Sequence, residues 1–240
     1  MRKKNLFTVS LILLLALIFF YSNHFNNSFH FDDSHAVVNN IYIHSIKNIP
    51  LFFQDGTTFS SLPANQSYRP VVTSSLAIDY WLSGGLNPFY FHLSQFILFV
   101  LQGMMMFFLF QKIFSLAFPH KWNSAIALFA SAGYLFHPAN AETINYIIAR
   151  TDSISTFFVV LAFVMYIYSG FSRKYFLYLL PVGLGVLAKE PAVMFAPLLF
   201  VYIAFFEKKT SFTDFSATNF SKLFSAFIAS LPAFIFCAAI

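Results

Sequence analysis

Two adjacent carboxylates, Asp32 and Asp33, are the residues of this sequence whose type and spacing point most directly to chemistry. Neighbouring carboxylates repel each other, which raises the pKa of one of them or favours the binding of a cation. The pair could therefore act as a general base, as oxygen ligands of a divalent cation, or as both. The alternative is structural, because an Asp just before the helical pattern of residues 34–47 could cap that helix. The residues alone leave both interpretations open.

A candidate cation lies farther along the same polar stretch. Arg69 is the only arginine between residues 22 and 88, and its planar guanidinium suits a phosphate or a carboxylate. The structural alternative is a salt bridge to Asp55 or Asp79, which residue type alone favours. A second polar stretch holds Glu142 and Arg150, which could bind a substrate or simply pair with each other.

Charged residues also stand where apolar segments are interrupted. Asp152 precedes an apolar run and could cap the helix that this run predicts. Lys189-Glu190-Pro191 interrupts what would otherwise be one long apolar hairpin. Charges between two short spans are costly and tend to mark a functional site. A mutual Lys–Glu pair at the bilayer surface is the structural alternative.

The composition places these candidates in a membrane protein. Hydrophobic residues make up 58% of the 240 residues and charged residues only 10%, against roughly 25% in a soluble domain. A water-soluble enzyme, a disordered chain and a disulfide scaffold are therefore excluded, the last because Cys237 is the only cysteine. The net charge is +5, and the basic residues lie at the ends of apolar runs. We therefore expect a lipid bilayer as partner and no nucleic acid.

The apolar runs predict an all-α polytopic membrane protein with about seven transmembrane helices. A crossing needs about 20 mostly apolar residues, and several of the runs are shorter than that. We call residues 22–88 the first loop and residues 137–152 the second loop. Within the first loop, the pattern of residues 71–82 predicts a helix that ends at Gly84-Gly85. The predicted spans are 6–21, 89–110, 124–136, 154–169, 175–187, 192–206 and 223–240.

The distribution of charge tests this topology independently. If the spans alternate, the inward segments hold ten of the 14 basic residues and the outward segments hold seven of the nine acidic ones. Because basic residues are enriched in cytoplasmic loops, we predict a cytoplasmic N-terminus and both loops on the outer face of a plasma or endoplasmic reticulum membrane. The sequence stops inside an apolar run, so we expect residues 1–240 to be the N-terminal part of a longer membrane domain.

Together the motifs resemble the membrane glycosyltransferase part of the transmembrane-and-tetratricopeptide proteins, a family that includes O-mannosyltransferases and belongs to the GT-C class. The resemblance covers residues 22–206. Ala149 departs from the family pattern, which usually has Gly there, and the sequence ends before the remaining spans and the repeats. The matching motifs are Asp32-Asp33, Tyr68-Arg69-Pro70, Asp79-Tyr80, Gly84-Gly85-Leu86-Asn87-Pro88 with His92, His137-Pro138 through Glu142, Ala149-Arg150-Thr151-Asp152 and Ala188-Lys189-Glu190-Pro191.

The resemblance implies a GT-C-like fold and the transfer of a sugar from a polyprenyl or dolichyl phosphate to a hydroxyl acceptor on a protein, glycan or lipid. In the family, an acidic residue of the first outer loop is the proposed catalytic base, which falls here on Asp32 or Asp33. A divalent cation bound by the same two residues is a candidate cofactor. The candidate substrate-binding residues are Tyr68, Arg69, His137, Glu142, Arg150, Asp152, Lys189 and Glu190.

Such a transfer needs a base for the acceptor proton and cations for the departing phosphate. We expect Arg69, Arg150 and Lys189 to supply the cations. The alternatives are a transporter or lipid flippase with an acidic outer site, or a non-catalytic membrane scaffold. Transporters usually have repeated halves and charges near the bilayer midplane, whereas most acidic residues here lie in loops, which favours the glycosyltransferase.

Overall fold

The computed structural model of the chain describes residues 3–211, 213–214 and 216–240. Within these residues the chain forms helices and connecting turns, with no β-strand. Met1 and Arg2, which belong to the predicted cytoplasmic segment, lie outside the described residues. The α-helices of the described part are α1 (Lys3–Phe20), α2 (Ile49–Phe52), α3 (Pro70–Ser83), α4 (Pro88–Ala117), α5 (Asn123–Leu135), α6 (Asn140–Asn145), α7 (Arg150–Tyr168), α8 (Gly170–Lys174), α9 (Leu179–Val186), α10 (Phe195–Tyr202) and α11 (Ala217–Ala239).

Shorter helical turns fill much of the remaining chain. π-Helical turns cover Ser34–Val38 and Ile203–Glu207, the second of which continues α10. Most of the other turns lie in the two loops, where they fold the backbone compactly between the longer helices. These 3-10 helices cover Ser22–Asn26, Ile41–His44, Ile46–Asn48, Gly56–Phe59, Pro63–Asn65, Ile147–Ala149 and Glu190–Met194.

Each predicted span contains a helix, and the all-α polytopic membrane architecture is confirmed. α5 and α9, with 13 and 8 residues, are shorter than a bilayer crossing, so the number of seven crossings stays a prediction. α9 begins only at Leu179, because Phe176 has a left-handed backbone with φ of 55° that interrupts the helix. Four described segments are long and apolar enough to cross a membrane: Pro88–Ala117, Ile147–Tyr168, Glu190–Glu207 and Ala217–Ala239.

The helices pack through apolar faces. α4 packs along α5 and α7, α7 packs along α9, and α10 packs against α11. Gly103 allows α4 to approach α5 closely, because a Cβ atom at this position would lie 2.5 Å from the Leu135 side chain. The core between α7, α9 and α10 contains large buried aromatic side chains, namely Phe163, Tyr166, Tyr178, Phe195 and Tyr202.

The segments predicted to face the cytoplasm meet at one end of the helices. Arg173 and Glu207 form a salt bridge, with Nη1 and Oε1 3.2 Å apart. Lys112 lies 5.9 Å from the centroid of the Tyr168 ring at the same end. The two loops contact each other at the opposite end, as described below. This grouping agrees with the predicted alternation of the spans, while the side of the membrane on which each end lies stays a prediction.

We expected two helices in the first loop, over residues 34–47 and 71–82, and only the second of them forms as a continuous helix. α3 confirms the helix predicted over residues 71–82, and it ends at Gly84, whose φ of 67° favours glycine. The prediction of one continuous helix over residues 34–47 is wrong. Asn40 interrupts it with an extended backbone, and its buried side-chain amide donates hydrogen bonds to the carbonyl groups of Thr58 and Phe59. These bonds satisfy backbone groups that a continuous helix would leave unpaired.

An apolar core joins the two loops and thereby positions the site. Val37, Ile43, Phe52 and Leu76 of the first loop are buried in one cluster. The same cluster includes Ile147 and Ile148 from the end of the second loop, and Ala188 from the segment that precedes Lys189. Three regions that are far apart in sequence therefore share one core. The polar side chains beside these residues are brought to the same end of the molecule.

Candidate functional site

The two adjacent aspartates have different environments. Asp33 is 1% exposed, and both of its carboxylate oxygens accept backbone hydrogen bonds: Oδ2 from His30 at 3.0 Å and Oδ1 from Ile148 at 2.9 Å. Burial raises the pKa of Asp33, although these hydrogen bonds and the charge of Arg150 oppose the shift. Its side chain makes no capping hydrogen bond to the helix at Ser34–Val38. Asp33 therefore links the two loops.

Asp32, in contrast, presents its carboxylate to an open cavity. The side chain is 59% exposed, and Oδ1 lies 3.3 Å from Nε2 of His35. The backbone N–H of Asp32 donates a hydrogen bond to the Tyr146 hydroxyl at 2.9 Å. Burial raises the pKa of Tyr146 to about 12, so this hydroxyl stays neutral. Of the two aspartates, Asp32 is the one that a substrate can reach.

The cavity beside Asp32 has a volume of about 650 Å³ and lies where the two loops meet, and we call it the polar cavity. It brings together four of the predicted site residues. They are Asp32 and Arg69 from the first loop, and Glu142 and Asp152 from the second. The Glu142 carboxylate has no hydrogen bond or ion pair within the described part of the chain, so it is free to bind a ligand. The cavity is lined by Asp32, His35, Phe59, Ala64, Asn65, Gln66, Ser67, Arg69, Glu142, Thr143, Tyr146, Ile148, Ala149, Thr151 and Asp152.

Arg69 has donors that the protein does not satisfy. Its guanidinium lies 5.5 Å from the centroid of the Phe59 ring, and Nη2 is 3.9 Å from Oε2 of the largely exposed Glu190. The Nε atom is buried and has no hydrogen-bond partner among the described residues. Neither of the expected partners is used, since Asp55 caps a 3-10 turn and Asp79 pairs with Arg150. The guanidinium is therefore only loosely paired, and its side chain, which is 22% exposed, can bind an anion that enters the cavity.

The structure places Arg150 outside this group of cations. Its side chain is buried and forms a salt bridge with Asp79, while Nη2 donates to the Phe91 carbonyl at 2.9 Å and Nε donates to the Ile147 carbonyl at 3.3 Å. These bonds join α3, α4 and the start of α7. The expected convergence of Arg150 with Arg69 is therefore wrong, and the substrate-binding role of Arg150 has no geometric support.

Lys189 and Glu190 lie beside the polar cavity but do not pair with each other. Nζ of Lys189 lies 2.6 Å from Oδ1 of Asp152, and Glu190 faces Arg69 instead. Two ion pairs, Lys189–Asp152 and Arg69–Glu190, thus lie at the edge of the polar cavity. The mutual Lys–Glu pair, which was the structural alternative, is absent in the described residues, and each of the two residues joins separate segments of the chain.

Tyr68 and His137 have different surroundings. The Tyr68 hydroxyl donates to the Phe53 carbonyl at 2.9 Å and so fixes the first loop. The exposed His137 accepts a hydrogen bond at Nδ1 from the backbone of Ala139, 3.2 Å away. It lines a separate cleft of about 560 Å³ that also contains His24. The substrate-binding roles of both residues stay predictions.

Residues that the sequence did not single out complete the polar cavity. His35 contacts Ser60 through Nδ1 at 2.9 Å and Asn65 through Nε2 at 2.9 Å. Tyr146 stands in an apolar segment, where its residue type gives no sign of a site. His35 lies three residues after Asp32, so their spacing along a local turn was the signal that could have found it. Only the packing of the loops places Tyr146 beside Asp32.

The two aspartates do not form a joint cation site. Both oxygens of Asp33 are engaged by backbone N–H groups, which disfavour a metal ion at the same atoms. Among the described residues there is no group of three or more His, Cys, Asp or Glu side chains that could hold a metal ion. Of the two aspartates, only Asp32 is therefore left as a possible ligand of a divalent cation.

The fold and the cavity define a polytopic, all-helical membrane protein with a charged cavity between two loops at one end of its helices. Among curated proteins, the chain is 28% identical over 169 residues to "Protein O-mannosyl-transferase TMTC4" of Mus musculus, a match that covers 67% of this chain and 23% of the relative. It is 32% identical over 174 residues to "Protein O-mannosyl-transferase TMTC2" of Homo sapiens, covering 70% and 19%. The chain is thus TMTC-like, which confirms the resemblance to the transmembrane-and-tetratricopeptide family.

The human protein named TMTC3 gives a similar match, with 29% identity over 141 residues that cover 58% of this chain and 14% of the relative. The chain spans about a fifth of the length of these curated relatives. No family model and no solved structure matches the chain.

Proposed function

We propose that this protein is the membrane part of a glycosyltransferase that moves a sugar from a polyprenyl or dolichyl phosphate to a hydroxyl group of a protein acceptor. The relatives are named protein O-mannosyl-transferases, which supports mannose as the sugar and a protein as the acceptor. The observation that carries the proposal is the polar cavity, which pairs the accessible carboxylate of Asp32 with the incompletely satisfied guanidinium of Arg69. The charge distribution supports an outer-face site.

Asp32 is the general base in this proposal. Its carboxylate takes the proton of the acceptor hydroxyl while the hydroxyl oxygen forms a bond to the anomeric carbon of the sugar. The bond between that carbon and the phosphate oxygen breaks, and the phosphate leaves with the electron pair. Attack from the side opposite the phosphate inverts the configuration of the anomeric carbon. The cation-like transition state at this carbon is also stabilised by a nearby carboxylate.

Arg69 binds the departing phosphate. Negative charge on the phosphate oxygen grows as the bond breaks, so a fixed guanidinium stabilises the transition state more than the ground state. The Arg69 side chain is 22% exposed and lines the polar cavity, so its guanidinium can donate to a phosphate oxygen there. Lys189 is held nearby by its pair with Asp152, which itself lines the cavity, and its remaining N–H donors can turn to the phosphate. Glu142, whose carboxylate is free, accepts hydrogen bonds from sugar hydroxyls.

A reconstituted system tests this proposal. The chain is placed in lipid vesicles with polyprenyl-phosphate mannose carrying a radioactive sugar and with a peptide rich in Ser and Thr. Radioactivity should move to the peptide in the wild type, and Asp32→Asn should lower the rate by about 100-fold or more while the donor still binds. Movement of labelled polyprenyl phosphate across the vesicle membrane, without transfer to peptide, would favour the flippase alternative. Donor binding with no transfer by the wild type would contradict an active enzyme.

A further inference from the structure

Phe31 stands directly before Asp32 in an unusual conformation. Its backbone is left-handed with φ of 45°, and its side chain is 86% exposed. Residues with a Cβ atom pay a free-energy cost in this region, and such strained positions cluster at functional sites. An exposed apolar side chain also forgoes the favourable free energy that burial would provide. Neither feature is explained by the packing of the first loop.

The surroundings keep Phe31 in this conformation. The backbone N–H of Asp33 donates to the His30 carbonyl at 2.9 Å, and the N–H of Ser34 donates to the Phe31 carbonyl at 3.1 Å. On the other side, the Asp33 carboxylate accepts from the His30 backbone, and the Asp32 backbone donates to Tyr146. Hydrogen bonds therefore fix the chain before and after Phe31. The backbone position from which the ring projects is thereby set.

Phe31 forms one wall of a cleft of about 490 Å³, which we call the aromatic cleft. The Tyr146 ring lies edge-on to the Phe31 ring, with centroids 6.1 Å apart and planes at 87°. The cleft borders the polar cavity, because Asp32, Glu142 and Tyr146 line both. The residues that line the aromatic cleft are His30, Phe31, Asp32, Glu142, Asn145 and Tyr146.

The chemistry of these walls selects a particular kind of ligand. Aromatic faces offer apolar contact, and the carboxylates beside them accept hydrogen bonds. The side-chain oxygen of Asn145 already accepts from Asn27 at 3.1 Å and lies 3.0 Å from Nδ1 of His24, so it is occupied. Glu142 is left as the free acceptor. A pyranose ring matches this arrangement, because it has C–H groups on its faces and hydroxyl groups at its rim.

We propose that the aromatic cleft binds the sugar ring of the donor, with the Phe31 ring packed against the C–H face of the sugar and Glu142 bound to its hydroxyls. The inference rests on the proposed function and assigns it a sugar subsite. It places the anomeric carbon near Asp32 and lets the phosphate extend toward Arg69 in the polar cavity. The strain at Phe31 then has a purpose, since it holds an apolar surface where the sugar must lie.

A fluorescent variant tests the subsite directly. Phe31→Trp puts a reporter ring in the cleft, and Phe118→Trp, at a site that is 79% exposed after α4, is the matched control. Emission is measured in vesicles after subtraction of the wild-type signal. Polyprenyl-phosphate mannose should shift the emission of the Trp at position 31 in a saturable manner, and polyprenyl phosphate without a sugar should not. The control should respond to neither. Equal responses of the Trp at position 31 to both lipids would overturn the proposal.

Two further variants separate binding from stability and from membrane contact. Phe31→Gly suits the positive φ, so its melting temperature should equal or exceed that of the wild type, while affinity for polyprenyl-phosphate mannose should fall roughly five- to tenfold. Phe31→Leu keeps an apolar side chain that could contact lipid, and it should show a similar loss. Donor affinity equal to that of the wild type in both variants would overturn the sugar subsite alone. Absence of donor binding by the wild type would overturn the proposed function as well.

Discussion

The Oδ1 atom of Asp33 accepts a hydrogen bond from the backbone of Ile148 at 2.9 Å, which joins positions 115 residues apart in the sequence. Because the second oxygen of the carboxylate is bonded to the His30 backbone, both acceptor atoms of Asp33 hold protein rather than substrate. The neighbouring Asp32 is left facing the polar cavity. Two adjacent residues of the same type thus have separate tasks.

Substitution of the two aspartates should give opposite results. Asp33→Asn replaces one acceptor oxygen by an NH₂ group that faces a backbone N–H, so we expect a loss of about 1–3 kcal/mol in the free energy of unfolding. Asp32→Asn should leave thermal stability unchanged and abolish sugar transfer, because an amide cannot take a proton. Melting temperature and transfer rate are measured on both variants. A stable but inactive Asp33→Asn protein would assign the base to Asp33 instead.

The buried carboxylate should also give a pH dependence of stability. Burial raises the pKa of Asp33 above its ordinary 3.8, so the folded state holds the proton more tightly than the unfolded state. Its contribution to stability is complete below pH 3.8 and is lost as the pH rises through the raised pKa. The melting temperature of the wild type relative to Asp33→Asn should therefore fall across this interval.

Asp55 provides a comparison of opposite sign. Hydrogen bonds from Thr57 hold the pKa of Asp55 below its ordinary value, so its contribution to stability is present above pH 3.8 and is lost on acidification. The melting temperature of the wild type relative to Asp55→Asn should rise with pH. Parallel pH profiles for the two comparisons would contradict the environment assigned to Asp33.

Arg69 should affect the donor more than the acceptor. Arg69→Ala removes the charge-assisted hydrogen bonds to the phosphate, each worth about 1.5–3 kcal/mol, so donor affinity should fall by roughly tenfold or more. Lys47→Ala, which removes an exposed cation of the first loop outside the polar cavity, is the control. Dissociation constants are measured for polyprenyl-phosphate mannose and for the acceptor peptide. An equal loss for both substrates, or none, would remove the phosphate-binding role.

The Arg150–Asp79 pair should behave as a structural element. Arg150→Ala leaves a buried carboxylate without its partner, for which a loss of about 3–5 kcal/mol is expected. The double variant Arg150→Met with Asp79→Leu removes both charges and should recover much of that stability. Melting curves and donor binding are compared for the two proteins. A stable double variant that no longer binds donor would restore Arg150 to the substrate-binding residues.

The predicted topology can be tested by cysteine labelling in a Cys237→Ala background. Ser61→Cys in the first loop and Ala139→Cys in the second replace exposed residues, and both should react with an impermeant reagent added outside intact cells. Lys174→Cys, in the segment predicted to be cytoplasmic, should react only after permeabilisation. Labelling of position 174 in intact cells would reverse the assignment of the two ends.

The sequence by itself determined the class of the molecule and the position of its helices. Long apolar runs must be shielded from water, and a bilayer does so only for helices or closed barrels, so composition and run length predicted the membrane helices. Local signals were sufficient for α3, which starts at Pro70 and ends at Gly84. They were misleading for residues 34–47, because the buried Asn40 amide binds carbonyl groups of a distant turn.

Only the tertiary structure decided which candidate residues share a site. Asp32 and Asp33 are equivalent by type and differ in burial, and Arg69 and Arg150 are equivalent by type and differ in their partners. These differences are produced by contacts of the two loops with each other and with the segment at Glu190, and a shared apolar core holds these three regions together. Residue type fixes what a side chain can bind, whereas its pKa, its exposure and its partner depend on the groups that folding places around it.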